Sequence, residues 1–213
     1  MFKLPESTNI KKIIFKNKIF DKYRDELKGK KKEKFDREIG RIIIINEISE
    51  KTIKLPKTQE ISSIFVIKIE LKTRDYTDSN IVLITKLFGQ NILYILNFED
   101  EYKLAVYKDK LITSPWKKED QIDLSLQGLD LLSVWENLII KVGDINLEDG
   151  KTLEEQIEID DRRAKLEKEI QRLNGRKRKE KQINKKFEIR DQILKLKEEL
   201  EELRGDKIGK NEF

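Results

Sequence analysis

Ile64-Phe65-Val66-Ile67-Lys68-Ile69-Glu70-Leu71-Lys72 is the stretch on which the fold turns. Phe65, Ile67, Ile69 and Leu71 alternate with Lys68, Glu70 and Lys72, the period of two expected of a strand with one buried face. Downstream, Asp78 or Ser79 can cap a short helix carrying Ile81, Ile84, Leu87 and Phe88, and Gly89 ends it. Asn91 to Asn97 reads as a second apolar strand. Phe98-Glu99-Asp100-Glu101 reads as a hairpin turn, from which Tyr102 to Tyr107 returns antiparallel. Residues 63–108 are therefore expected to form β–α–β–β, the first two strands parallel through a right-handed crossover.

Upstream, Arg41-Ile42-Ile43-Ile44-Ile45 is a β-branched run suited to a buried strand, and Thr52-Ile53-Lys54-Leu55 is expected to pair with it before Pro56. The first 40 residues hold two basic helical candidates. Ile19, Phe20, Tyr23 and Leu27 recur at helical spacing, Lys28-Gly29-Lys30-Lys31-Lys32 breaks that helix, and Phe35 and Ile39 suggest a further turn or two. Downstream of the hairpin, Asp130 caps a helix whose stripe of Leu131, Trp135, Leu138, Ile139 and Val142 closes the core. Gly143 and Gly150 flank a polar linker.

From Lys151 the composition shifts to Lys, Arg, Glu and Leu, as in a long helix or coiled coil. Leu153, Ile157, Leu166, Ile170 and Leu173 follow spacings of three and four. Ile189, Ile193, Leu196, Leu200 and Leu203 form a second a/d seam, out of register with the first. Two readings stay open: an antiparallel hairpin turning near Asn174-Gly175, or one long helix with a phase change there. The expected class is α+β, a mixed sheet with packed helices over residues 1–148. A charged coiled-coil helix or helical hairpin over 151–206 and a flexible tail over 207–213 follow it.

Composition bounds the chemistry. The chain has 213 residues, 46 Lys and Arg against 41 Asp and Glu, and neither Cys nor His. Disulfides, thiolate nucleophiles, Cys- or His-ligated metals and Ser–His–Asp machinery are thereby excluded. The nine glycines form no phosphate-binding loop, so nucleotide hydrolysis is not expected. Charged residues make up 41% of the chain, against an average near ~25%. No apolar run reaches the ~18 residues of a membrane span, and Met1 to Ile10 has no signal-peptide core. A cytoplasmic protein that touches no membrane and needs no cofactor or resident metal is the expectation.

Glu70-Leu71-Lys72 is the one pattern suited to catalysis. A Glu-x-Lys pair on a strand face, followed by a helix and a second strand, matches the layout of restriction-type nuclease cores. There a carboxylate holds Mg²⁺ and an amine steadies water or phosphate. Such a core needs a second acid, for which Glu47 is the nearest candidate. The plainer reading is a solvated face with cross-strand pairs.

Two basic clusters are candidates for phosphate contact. One is Lys28, Lys30, Lys31, Lys32 and Lys34. It lies in a segment, Lys11 to Arg41, with 13 basic and 6 acidic residues. The other is Arg176-Lys177-Arg178-Lys179 and its continuation to Lys186. The alternative for the second cluster is a solvated helix, or pairing with Glu198-Glu199 and Glu201-Glu202. Ile189, Ile193, Leu196, Leu200 and Leu203 are the candidates for an assembly interface.

Several segments together resemble a known family. They are Leu4-Pro5 with Ser7-Thr8 and Lys16; Ile48-Ser49 with Thr52-Ile53; Glu60-Ile61 leading into Phe65 to Lys72; and Leu126-Gln127-Gly128-Leu129-Asp130-Leu131 with Trp135-Glu136-Asn137-Leu138. Lys179-Glu180-Lys181-Gln182 with Asn184-Lys185-Lys186 completes the set. In order and spacing they look like a bacterial and archaeal domain-of-unknown-function family of about this length. Its members are encoded beside DNA methyltransferases and DEAD-type helicases in type III-like restriction or phage-defence loci. The resemblance implies a non-catalytic accessory subunit with a helicase or methyltransferase partner, assembling through its C-terminal helix or pairing with itself. A Mg²⁺-dependent nuclease and a basic nucleic-acid-binding module are the alternatives.

Overall fold

The alternation along residues 64–72 becomes the third strand of a six-stranded sheet. The computed structural model describes residues 2–89 and 91–204. Two compact units divide the chain, Met1–Ile145 and Asn146–Phe213.

In the first unit the strands are β1 (Asn9–Ile14), β2 (Ile39–Ser49), β3 (Ser63–Leu71), β4 (Asn91–Phe98), β5 (Glu101–Lys108) and β6 (Lys110–Thr113). They lie side by side in chain order. Every neighbouring pair is antiparallel except β3 and β4, which run parallel from Ile64↔Asn91 to Glu70↔Asn97. A parallel pair needs a crossover, supplied here by helix α4 (Asp78–Phe88), numbered after α1 (Lys16–Lys22), α2 (Lys30–Glu38) and α3 (Glu50–Ile53). Gly89 ends α4 in the left-handed conformation. The α+β class, the parallel pair and the β4–β5 hairpin all stand as expected.

Ile92 to Leu96 are buried without interruption, because β4 is covered on both faces. On one face Ile42, Ile67, Ile69, Tyr94 and Leu96 pack with Ile19, Phe35, Ile81 and Ile84 from α1, α2 and α4. Helix α5 (Leu131–Gly143) contacts β3, β5 and β6 and buries Leu131, Trp135, Leu138, Ile139 and Val142, the expected stripe. Its N-cap is Asp130, whose carboxylate accepts the Ser133 N–H at 2.8 Å.

Three local expectations are corrected here. Thr52-Ile53-Lys54-Leu55 is not a strand: Ser49 and Thr52 form a reciprocal capping box, Glu50–Ile53 make one helical turn, and Lys54 closes it at φ 58°. Residues 9–14 form strand β1, where only helices were expected. Lys11 and Lys12 break its apolar alternation, as suits an exposed edge. Strand β6 was not foreseen; it pairs with β5 from Ala105↔Thr113 to Lys108↔Lys110.

The second unit contains α6 (Leu153–Lys179) and α7 (Ile183–Arg204). Leu173 of α6 is buried against Ile189 and Ile193 of α7, and Arg162 pairs with Glu199, so the two helices form an antiparallel hairpin. Its turn is not at Asn174-Gly175. The helix runs through that pair and ends at Glu180, whose carboxylate accepts the N–H groups of Lys181 and Gln182 at 2.8 and 2.9 Å. One side chain thus satisfies both N–H groups of the turn that leads into α7. The tail expected over 207–213 lies outside the described residues.

Candidate functional site

Glu70, Lys72 and Glu47 are not brought together. The Glu70 carboxylate lies 3.8 Å from Arg41 Nε, a partly exposed cross-strand pair. Lys72 Nζ donates to the Asp36 carbonyl at 2.7 Å and the Lys72 N–H donates to the Glu38 carbonyl at 2.9 Å. Glu47 stands opposite Phe65, five residues along β3 from Glu70. That is ~16 Å of strand, and an odd number of residues turns it to the opposite face. The cause is a register shift between Ile44 and Asn46. Unbroken pairing from Ile44↔Ile67 would have set Glu47 opposite Ile64, on Glu70's face. Among the described residues, no group of three or more Asp or Glu is placed to share a metal ion.

The N-terminal lysines divide into engaged and unengaged. Lys28 pairs with Asp25 at 2.5 Å, Lys32 lies 4.8 Å over the Phe20 ring, and Lys34 is 3.8 Å from Glu38. Lys30 and Lys31 are exposed in the first turn of α2, with no acidic partner among the described residues. Cations there oppose the helix dipole, so the position favours an anionic partner.

The seam of α7 is used within the hairpin. Ile189 and Ile193 are buried against Leu173, and Ile170 and Leu196 pack on that cluster. Leu200 is also buried and Leu203 half-buried. The hairpin also bears an open groove of about 860 Å³, lined by Ile170, Gly175, Arg178, Leu200 and Glu201 among others. Arg176, Lys177, Arg178 and Lys179 occupy the last turn of α6, where cations suit the dipole. They do not pair with the glutamates of α7. Glu199 binds Arg162 instead, and Glu201 lies 3.8 Å from Arg204.

Residues 2–200 match the family described as domain of unknown function DUF4391. The chain belongs to this family. The match takes in the whole sheet unit and all but the last turn of α7. Comparison with curated proteins and with solved structures returns no match. No helix among the described residues of this DUF4391 chain is long and apolar enough to cross a membrane.

Two features of the DUF4391 chain escaped sequence reasoning. Ile183, Phe187 and Leu194 are exposed at 69, 54 and 46%. Spacings of four and seven put them within ~40° of one another on α7, away from the seam. Their signal is the same periodicity that revealed the seam, hidden because a heptad reading assigns one seam per helix. The second is a cation–aromatic cluster. Arg74 and Lys103 lie 5.5 and 5.9 Å from the Trp116 ring, and Lys103 lies 5.9 Å from Tyr76. Arg74 is also bound to Glu101 at 2.9 Å, so this cluster is already paired internally.

Proposed function

We propose that this protein is a non-catalytic accessory subunit that assembles a larger cytoplasmic complex through its C-terminal hairpin. The observation that carries the reading is the second apolar stripe of α7. The α6–α7 seam is satisfied within the chain, yet Ile183, Phe187 and Leu194 remain exposed on another face. Burying each would contribute ~1.5–3 kcal/mol at most, so the stripe would be the apolar centre of a larger contact. The dispersal of Glu47, Glu70 and Lys72 gives the nuclease alternative no geometric support.

The family resemblance favours a helicase or methyltransferase of a restriction or phage-defence system as partner. Co-expression of the full chain with such subunits, read by native mass, tests this. The complex is expected at defined stoichiometry, and Phe187→Asp is expected to dissociate it while the helical circular dichroism is kept. Association that survives Phe187→Asp would remove the hairpin stripe from the assembly.

Lys30 and Lys31 support a second reading, a nucleic-acid contact at the start of α2. It requires affinity for a DNA or RNA duplex that falls steeply with salt and is weakened by Lys30→Glu with Lys31→Glu. Binding indifferent to salt or to these changes counts against it.

A further inference from the structure

The closed end of the hairpin carries charges that oppose its own packing. From Arg176 to Lys186 the chain holds seven Lys or Arg and one acid, Glu180. The turn at residues 180–182 folds this run in two, Arg176 to Lys179 ending α6 and Lys181 to Lys186 leading into α7. A turn at Asn174-Gly175 would have left the whole run on one helix. The apolar joint stops at Leu173 and Ile189. Four residues on from Leu173 stands Lys177, and three before Ile189 stands Lys186. Of the seven cations, these two are half-buried and the others exposed. Where a further apolar layer or a Lys–Glu pair would tighten the hairpin, like charges flank the joint and repel. A local choice that works against the fold is expected where a surface has another task.

Nothing in the hairpin covers these cations. Among the described residues, none of the seven has a carboxylate within ion-pair distance. Glu180 is committed to the backbone, accepting the N–H groups of Lys181 and Gln182. Glu169 is taken by Arg172, Glu199 by Arg162 and Glu167 by Arg204. A cluster of one sign left unpaired raises a strong local potential and draws a polyanion.

The form of the polyanion follows from the spacing. Packed helices stand ~8–10 Å apart, and the major groove of B-form DNA is ~12 Å wide. One basic run can therefore meet the phosphates on each border of the groove. The deep, narrow major groove of an RNA duplex does not admit the pair. Protein surfaces intersperse both signs, whereas duplex DNA offers one negative charge per ~1.7 Å and no cation. We infer that the closed end of the hairpin is a sequence-independent site for the phosphate backbone of duplex DNA. Arg176, Arg178 and Lys179 grip one border of the groove and Lys181, Lys185 and Lys186 the other. The site is separate from the Ile183–Phe187–Leu194 stripe and does not rest on the subunit contact proposed there.

The experiment is the affinity of the full chain for a short fluorescent DNA duplex, read by anisotropy from about 50 to 200 mM salt. It is run on the unaltered chain and on one carrying Lys30→Glu and Lys31→Glu, so that the affinity left in the second belongs to the hairpin. With about five phosphates neutralised, that affinity should fall on the order of 10²–10³-fold over the range, and alike for unrelated sequences. Arg176→Gln, Arg178→Gln and Lys179→Gln together should lower the slope of log affinity on log salt by about 3. Lys185→Glu with Lys186→Glu should abolish binding yet raise the melting temperature of the hairpin, because acids then stand beside Lys177 and suit the start of α7. The glutamine variant leaves α7 untouched and decides the matter even if the glutamates disturb the turn.

A chain that ignores the duplex at about 50 mM salt overturns the inference. So does affinity that survives both hairpin variants. Affinity that vanishes with Lys30→Glu and Lys31→Glu alone overturns it in favour of α2. Tighter binding of an RNA duplex overturns the groove assignment. A chain that ignores DNA, and loses helicase or methyltransferase subunits when Lys185 and Lys186 become Glu, overturns it in favour of an acidic protein surface.

Discussion

Arg163 Nη2 donates to Glu148 Oε1 at 2.8 Å, tying α6 to the segment that precedes it. The same guanidinium donates to the Leu203 carbonyl near the end of α7, so one side chain closes the open end of the hairpin. Lys151 also binds Glu148, and these two cations hold its carboxyl at about 2, well below 4.5. A carboxylate depressed in the fold stabilises it above the unfolded value and loses that contribution as pH falls toward the folded one. The hairpin is therefore expected to weaken between pH 4.5 and about 2. Glu148→Gln should be less stable at neutral pH and flatter through that window, read as helix melting by circular dichroism. Identical pH profiles for the two proteins would show that the clamp carries no weight.

Gly175 and Gly40 should respond oppositely to the same substitution. Gly175 lies inside α6, and a Cβ there meets nothing within 4 Å. Gly175→Ala should stabilise the hairpin by about 0.5–1 kcal/mol, since glycine is the poorer helix former. A Cβ on Gly40 would come 2.5 Å from the Glu70 carbonyl oxygen, backbone of the neighbouring strand. Gly40→Ala should cost about 1–3 kcal/mol by forcing β2 from β3. Destabilisation by Gly175→Ala in urea titration would place the hairpin turn back at Asn174-Gly175.

The contrast marks where sequence is legible. β3, α4, β4, β5 and α5 were readable from apolar periodicity, with Asp130 marking the start of α5 and Gly89 the end of α4, but the α4 start is corrected: its N-cap is Thr77, not Asp78 or Ser79. Asn174-Gly175 misled because its stop signal is local, whereas the turn is set by the Glu180 carboxylate and by the packing of Leu173 on Ile189 and Ile193. Glu47 is the nearest candidate for the second acid along the chain, but nearness in sequence does not set register. The shift between Ile44 and Asn46, which sends it to the other face, leaves no mark in β-branched residues. Thr52-Ile53 looked like strand for the same reason: β-propensity is weak beside a capping box.

Glu38 offers a test of the sheet unit. It is 5% exposed and accepts the Thr77 N–H at 2.8 Å, the Thr77 hydroxyl at 3.0 Å and the Asn80 side-chain amide at 2.8 Å. It thereby supplies the cap that α4 lacks from its own N-cap residue. Glu38→Ala leaves these donors unpaired in the interior and should cost about 3 kcal/mol. Glu38→Gln keeps one acceptor and should cost less. Unfolding followed through Trp116 and Trp135 fluorescence gives both values, and equal losses would deny the carboxylate its capping role.

Seam and stripe on α7 are separable by one substitution each. Leu196 packs on the Leu173–Ile189–Ile193 cluster, so Leu196→Asp sets a charge against the joint between α6 and α7. It should cost the hairpin about 2–4 kcal/mol and lower its helical signal, even in a monomer. Phe187 is exposed, its ring touched by the Arg190 guanidinium at 5.9 Å. Phe187→Asp should change hairpin stability by less than about 0.5 kcal/mol, as at other surface positions. Its effect should fall on association alone. Sequence reading placed the interchain contact on Leu196; intrachain packing moves that expectation to Phe187. Melting curves at two protein concentrations decide between them. If Leu196→Asp melts like the parent at low concentration while Phe187→Asp does not, the two faces have been assigned the wrong way round.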